Sequence, residues 1–426
     1  MNQASENSPL ATRSNARGEQ QHFLSLIFGT GFRPFFLAAA GYAVLNSLLW
    51  PLVDHDYVYP LGNRSLLGPV ELLRLHEAVF GVLMAAVAGF ALTATRFWTA
   101  QPTAHGGWLA GLFGTWVAGR AMVLSLALVP DSAVPPTAVL VGIQLSFPLL
   151  LVLGLARPMW VARYTRGLPL LAVIAGLAAS SVAFWLDIAG FEERFRLWPM
   201  DHLLMAEHLL VLLSVVVGGQ MIPLVSRERL GDPGIQPARE EDHLALMLAA
   251  AAVSLVAASV YLPLPSETGK VAGFTLIASG FAQLYRMRTW GTLSALRVPM
   301  LAVLHVGYAW VGVGQLLVGL GWLGLDPWYI FHRAYALPLG TLTLGMVACF
   351  TASQTGRELV ATRAVAAAFV LVQLAALALL LPVDVVLAWP KLGYTASSLL
   401  FGAAWLLWLL HGAGPLTSPR PDGRPG

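Results

Sequence analysis

The residues most able to do chemistry in this chain are Arg74, His76 and Glu77, set within one helical turn at the head of a long apolar run from Leu73 to Thr99. Ionisable side chains are expensive in hydrocarbon, and within a membrane span they face a bundle interior or a cavity. Neutral imidazole binds haem iron and copper well, and its second ring nitrogen usually needs an acceptor such as a carboxylate. Arginine near a membrane edge pairs with carboxylates, haem propionates among them. The same side chains also build proton relays and structural ion pairs, so residue type alone leaves ligation, relay and pairing open.

The elements that must position these groups are membrane helices. Hydrophobic residues make up 57% of the 426 and charged residues 11%, with a mean hydropathy of +0.70. That composition defines a polytopic membrane protein. Windows of about 20 apolar residues place spans near 32–53, 70–95, 106–129, 134–156, 168–189, 201–225, 243–263, 269–286, 299–324, 329–353, 361–387 and 391–411. The expected fold is therefore an all-α transmembrane bundle of about twelve spans. One transmembrane domain, 31–412, lies between tails at 1–30 and 413–426 that read as disordered.

A sequence pI near 9.1 and a net charge of +3 invite a nucleic-acid reading, but the positions of the charges remove it. Arg13, Arg17, Arg96, Arg157, Arg163, Arg227 and Arg229 fall in alternate loops, while the intervening loops mix a few basic residues with Asp54, Asp56, Glu192 and Glu193. This is the positive-inside pattern, and it puts both termini in the cytoplasm. Trp50, Trp98, Trp108, Trp198, Trp290, Trp328 and Trp389 near span ends suit an interfacial belt. Gly312, Gly314, Gly319, Gly321 and Gly324 would let helices approach closely. Cys349 is the only cysteine, so neither a disulfide nor a cysteine-based metal site forms within one chain.

With orientation assigned, each polar residue acquires a depth. An outer layer gathers His76, Glu77, Arg120, His208 and His332, with Arg74 and His202 nearby. An inner set gathers Arg33, Gln220, His305, Gln354 and Arg357. Two polar layers suit two separate sites or one pathway joining them.

From GFRPFFLAAA (Gly31 to Ala40) the chain resembles the NnrS family of bacterial membrane proteins. The likeness continues through LHEAVFG (Leu75 to Gly81), AGFALTATRFWT (Ala88 to Thr99), WVAGR (Trp116 to Arg120), GGQMIPLVSR (Gly218 to Arg227), LHVGYAW (Leu304 to Trp310) and TGREL (Thr355 to Leu359). The resemblance implies a twelve-helix protein of the bacterial inner membrane, associated with haem and copper and linked to denitrification and the nitric oxide response. It marks His76, His305, His332, Arg33, Arg120 and Arg357 as candidate cofactor-binding residues. His76, His332 and His208 are the candidate metal ligands, with Glu77, Arg74, Gln220 and Gln354 around them.

The chain departs from the family pattern H-x-H-E-M at Arg74 and Ala78, and again at Gln220, Cys349 and Gln354. Glutamine is a poor ligand for haem or copper, so the inner layer lacks a second imidazole. The expected partners are the lipid bilayer and nitric oxide or another small diatomic molecule, with no nucleic acid. A haem–copper oxidase type of site is disfavoured because the chain has no His-His pair. A proton- or ion-linked transporter and a cofactor-free membrane scaffold are the competing readings.

Overall fold

In the computed structural model the chain is described over residues 23–54, 70–126, 135–188, 199–235, 240–325, 333–380 and 392–424. Without water to satisfy peptide groups, apolar runs of this length must close their own hydrogen bonds, and helices do so. The described residues are mostly helical, with no strand among them.

The long helices are α1 (Phe32–Asp54), α2 (Val70–His76 continuing to Met84–Thr99), α3 (Gly106–Leu126), α4 (Thr137–Val161), α5 (Leu168–Ile188) and α6 (Pro199–Leu230). They continue as α7 (Glu240–Tyr261), α8 (Glu267–Arg286), α9 (Pro299–Trp322), α10 (Ala336–Gln354), α11 (Arg363–Leu379) and α12 (Leu392–Thr417). Among the described residues nine helices are long and apolar enough to cross a membrane, and Arg363–Leu379 is a shorter apolar helix. Residues 23–27, expected to be tail, are helical, and α12 runs on through Thr417, past the end expected at 412.

Neighbours in sequence pack as neighbours in space, and α12 closes on α1. The centre of the bundle is α2, 83% buried along Leu72–Thr99, against 28% for Asp242–Tyr261 of α7. A π-helical turn over Glu77–Leu83 interrupts α2. Such turns are rare and concentrate at functional sites. Nothing in the residue pattern announces this one.

Two glycine pairs set the α8–α9 distance. A Cβ on Gly280 would lie 2.7 Å from the Gly312 carbonyl, and one on Gly319 would lie 2.7 Å from the Gly273 carbonyl. Gly312 and Gly319 thus do what the sequence suggested, against partners seven residues apart on α8. Gly314 instead faces Tyr335 and Ala334 before α10.

Trp290 corrects the interfacial-belt expectation. It is 1% exposed and packs on Tyr308, ring centroids 4.7 Å apart, with the Arg286 guanidinium 5.3 Å from its ring centroid in cation–π range. Trp108 does stand out of the bundle, 45% exposed. Trp50, Trp198, Trp328 and Trp389 lie outside the side chains described.

Candidate functional site: a buried polar knot beside a cavity

Glu77 opens the π turn of α2 and is fully buried. A buried carboxylate persists when it is paired and hydrogen-bonded. Arg120 of α3 supplies the counter-charge, its Nη1 donating to Glu77 Oε1 at 2.6 Å. Tyr42 of α1 donates its hydroxyl to Oε2. Arg120 Nη2 also donates to Gln144 Oε1 of α4 at 2.7 Å, and Gln144 Nε2 returns to the Gly119 carbonyl at 3.3 Å. Four helices are thus tied to one carboxylate. Gly81 makes room for it: a Cβ there would sit 2.4 Å from the Tyr42 ring, and its carbonyl accepts from Trp116 Nε1 at 3.2 Å.

His76 completes the knot. Its Nδ1 lies 2.7 Å from Glu77 Oε1, and its Nε2 accepts from Trp185 Nε1 of α5 at 3.1 Å. The ring stacks on Phe184 at 4.7 Å and touches Phe80 at 4.8 Å. Both ring nitrogens therefore have protein partners. His305, the inner candidate, is held likewise, by Ser226 Oγ at Nε2 (2.8 Å) and Thr292 Oγ1 at Nδ1 (3.1 Å). His202 spans Asp187 Oδ2 (2.6 Å) and Tyr261 (3.0 Å).

His208 differs. It is 2% exposed, its Nδ1 lies 2.7 Å from the Leu204 carbonyl, and its Nε2 has no partner among the described residues. Tyr335 packs edge-on to it at 4.9 Å, and the Tyr335 hydroxyl is also buried without a described partner. Glu207 precedes His208 and Ala336 follows Tyr335, and both of these neighbours line a cavity in the bundle.

That cavity holds about 170 Å³ between α1, α2, α6, α10, α11 and α12. Its walls are apolar, from Leu75, Val79, Leu339 and Val372 among others, apart from a few polar groups. Arg74 and Arg333 converge on the Tyr394 ring, their guanidinium carbons 4.4 and 4.2 Å from its centroid. Arg333 also donates to the Tyr394 hydroxyl and to the Leu379 carbonyl, the latter at 3.3 Å. A second, apolar cavity of about 100 Å³, lined by Phe36, Phe90, Met346 and Phe350, shares Leu83 with the first.

The six residues marked for a cofactor do not meet in one place. His76 and Arg120 share the knot, His305 sits with Ser226 and Thr292, and Arg33 and Arg357 meet at Ser418. His332 lies outside the described residues. Arg74 lines the cavity rather than the knot. The Gln354 carbonyl, not its side chain, is engaged, accepting from Arg420 at 2.8 Å.

Gln220 is a correction: its side chain is exposed, because one step along a helix turns about 100° away from the inward-facing Gly218 and Gly219. The inner polar group is built instead by Arg286 of α8, which reaches over Gly219. Its Nε donates to Asp242 Oδ1 at 2.7 Å and its Nη1 to the Tyr308 hydroxyl at 2.9 Å. The 269–286 span puts Arg286 at its very end, with nothing in the sequence to mark it as buried. Tyr42, Gln144, Trp185 and Tyr335 carried no motif signal, since single polar aromatics and amides are common in any span.

Among the described residues no three His, Cys, Asp or Glu side chains gather into a group that could hold a metal ion. His76 and His305, as hydrogen-bonded, do not fit as ligands. For haem the fitting features in the cavity are the Arg74–Arg333 pair and the apolar stretches of wall. His208, with its open Nε2, is not a lining residue, and 170 Å³ is below the roughly 300–1,000 Å³ of pockets for drug-sized ligands, so haem would enter only as the surrounding helices part.

Fold and site together define a polytopic helical membrane protein whose central helix is locked by a buried ion-pair knot beside a cavity. The family model for NnrS protein matches residues 26–420, nearly the whole chain, and the chain belongs to the NnrS family. No curated protein matches it in sequence.

Proposed function

We propose that this chain is an inner-membrane protein of the bacterial nitric oxide response, with both termini in the cytoplasm, that binds haem at the outer cavity as the helices around it part. The single observation that carries the reading is the composition of that cavity. Two guanidiniums, Arg74 and Arg333, share one aromatic face on a mostly apolar wall, and the lining residue Glu207 is followed in α6 by His208, whose buried ring has an open nitrogen.

Arg74 and Arg333 would hold carboxylates, as arginine does through paired N–H donors. Leu75, Val79, Leu339 and Val372 would keep the ring system dry. His208 would supply a neutral nitrogen ligand, with Nδ1 anchored on the Leu204 carbonyl. Bound haem would supply an iron centre able to take nitric oxide or another diatomic. The Glu77 knot fixes α2, and so the position of Arg74, against α1, α3, α4 and α5. Copper has no comparable donor set among the described residues, and no role is assigned to it.

The test is an optical spectrum of protein purified in detergent after expression with haem supplied. A Soret band in the wild type, lost in His208→Ala, is expected. Wild-type protein without a Soret band would reject the haem reading.

Proton-linked transport is the second reading, favoured by the buried hydrogen-bonded chain Tyr42–Glu77–His76. It predicts pH-driven flux into proteoliposomes that His76→Ala abolishes and an unchanged optical spectrum.

A further inference from the structure

At the end of the bundle where α1 begins and α12 finishes, Arg33, Arg357 and Arg420 come together around Ser418. Arg33 lies in the first turn of α1 and is 0% exposed. Its Nη1 donates to the carbonyls of Leu416 (2.7 Å) and Ser418 (3.0 Å), capping the last helix. Arg357 donates from Nη2 to Ser418 Oγ at 2.9 Å and from Nη1 to the Thr355 carbonyl at 3.4 Å. Arg420 donates from Nη1 to the Gln354 carbonyl at 2.8 Å. Its guanidinium lies over Gly356 (φ +66°), where a Cβ would be 3.1 Å from Nη2.

These cations are answered unequally. Arg420 grips Asp422 side-on, Nε to Oδ1 at 2.9 Å and Nη2 to Oδ2 at 2.6 Å, and these hydrogen bonds hold the Asp422 carboxyl below the usual carboxylate range. In Arg33 the same Nε–Nη2 edge is buried and has no partner among the described residues. Neither Arg33 nor Arg357 makes an ion pair with a described carboxylate. Leaving charged donors buried and unsatisfied is far costlier than leaving them in water. The Nε–Nη2 edge is also the geometry that receives two oxygens of one oxyanion. Helix-end carbonyls account for Nη1 only.

We propose that the Arg33 fork, with Arg357 beside it, binds a phosphate group. Several cationic donors on one spot suit a phosphate, which brings more acceptor oxygens and more charge than a carboxylate. The positive-inside bias puts this end at the cytoplasmic face, where basic pockets between helices take anionic lipid headgroups. A free phosphate and a phospholipid headgroup present the same chemistry. The site shares no lining residue with the outer cavity, so it stands apart from the haem reading and is tested without haem.

The experiment titrates delipidated, detergent-purified protein with inorganic phosphate and, separately, with phosphatidylglycerol, using phosphatidylcholine as the zwitterionic control. The readout is the thermal midpoint and, for the lipids, adducts retained in native mass spectra. A saturable shift with inorganic phosphate identifies a soluble phosphate site. A shift and adducts with phosphatidylglycerol alone identify a headgroup site.

Arg33→Lys keeps the charge but loses the fork, and is expected to weaken binding about tenfold. If Arg33→Lys fails to fold for want of its helix cap, Arg357→Gln carries the test, since it leaves the Arg33 donations in place. No saturable response to either ligand in the wild type would overturn the site. So would binding to Arg357→Gln as tight as to the wild type.

Discussion

Trp185 donates its indole N–H to Nε2 of His76 across 3.1 Å. An indole nitrogen is only a donor, so Nε2 is the unprotonated atom and Nδ1 carries the proton toward Glu77. One tautomer is thereby selected by two helices, and both nitrogens of the most conspicuous histidine in the chain are spent on the protein. The imidazole serves as a strut between α5 and the Glu77 carboxylate.

This arrangement separates the histidines by role. In haem-loaded protein, His76→Ala is expected to keep the Soret band while lowering the thermal midpoint, and His208→Ala to lose the band. Optical spectra recorded alongside melting curves check it. Loss of the band in His76→Ala alone, at a temperature where that variant is still folded, would reverse the assignment.

The Glu77–Arg120 pair is buried at both ends. Glu77→Leu leaves the Arg120 guanidinium without its counter-charge and is expected to cost about 3–5 kcal/mol of stability. Replacing both residues by apolar ones should cost much less than the sum of the two single changes. Thermal or denaturant unfolding of the two single variants and the double variant in detergent measures the coupling.

Gly219 lies under the Arg286 guanidinium, where a Cβ would come within 2.1 Å of Nη2. Gly219→Ala must displace the arginine from Asp242 and Tyr308, and a loss of about 1–3 kcal/mol is expected from the overpacking alone. Gly111→Ala, at a position where a Cβ meets nothing within 4 Å, is the control and should leave the melting point in place. Equal melting curves for the two variants would contradict the packing.

The α8–α9 seam makes a similar forecast at a larger scale. Gly280→Val pushes a branched side chain against the Gly312 carbonyl and Leu316, which only separation of the two helices relieves. Poor recovery of folded protein by size-exclusion chromatography in detergent is expected, with Gly107→Val, an open position, recovered normally.

Cys349 is 7% exposed and its thiol points at the Met300 carbonyl, 3.3 Å away. A maleimide reagent should therefore label it only after unfolding. Rapid labelling of the native protein, read by mass spectrometry, would show that the α9–α10 contact opens.

Much of the architecture could be read from the order of residues. Apolar runs the length of a bilayer have one way to satisfy their backbone, so the helices fall close to where hydropathy placed them. The cost of burying charge made Arg74, His76, Glu77, Arg120 and His208 candidates before any contact was known. Gly312 and Gly319 could be recognised as packing positions from their size alone.

Pairing could not be read in that way. Whether a polar side chain faces a cavity, a partner or the lipid depends on helix rotation, and one residue moves it by about 100°. That rotation sends Gln220 outward beside inward Gly219, and brings Arg286 from the end of its span into the core. The π turn at Glu77–Leu83, the Tyr42 and Trp185 partners of the knot, and the open edge of Arg33 all arise from which helices are neighbours. Hydropathy and the cost of buried charge are properties of each residue and travel with the sequence. Partnership is a property of two residues brought together, and only the packed bundle decides it.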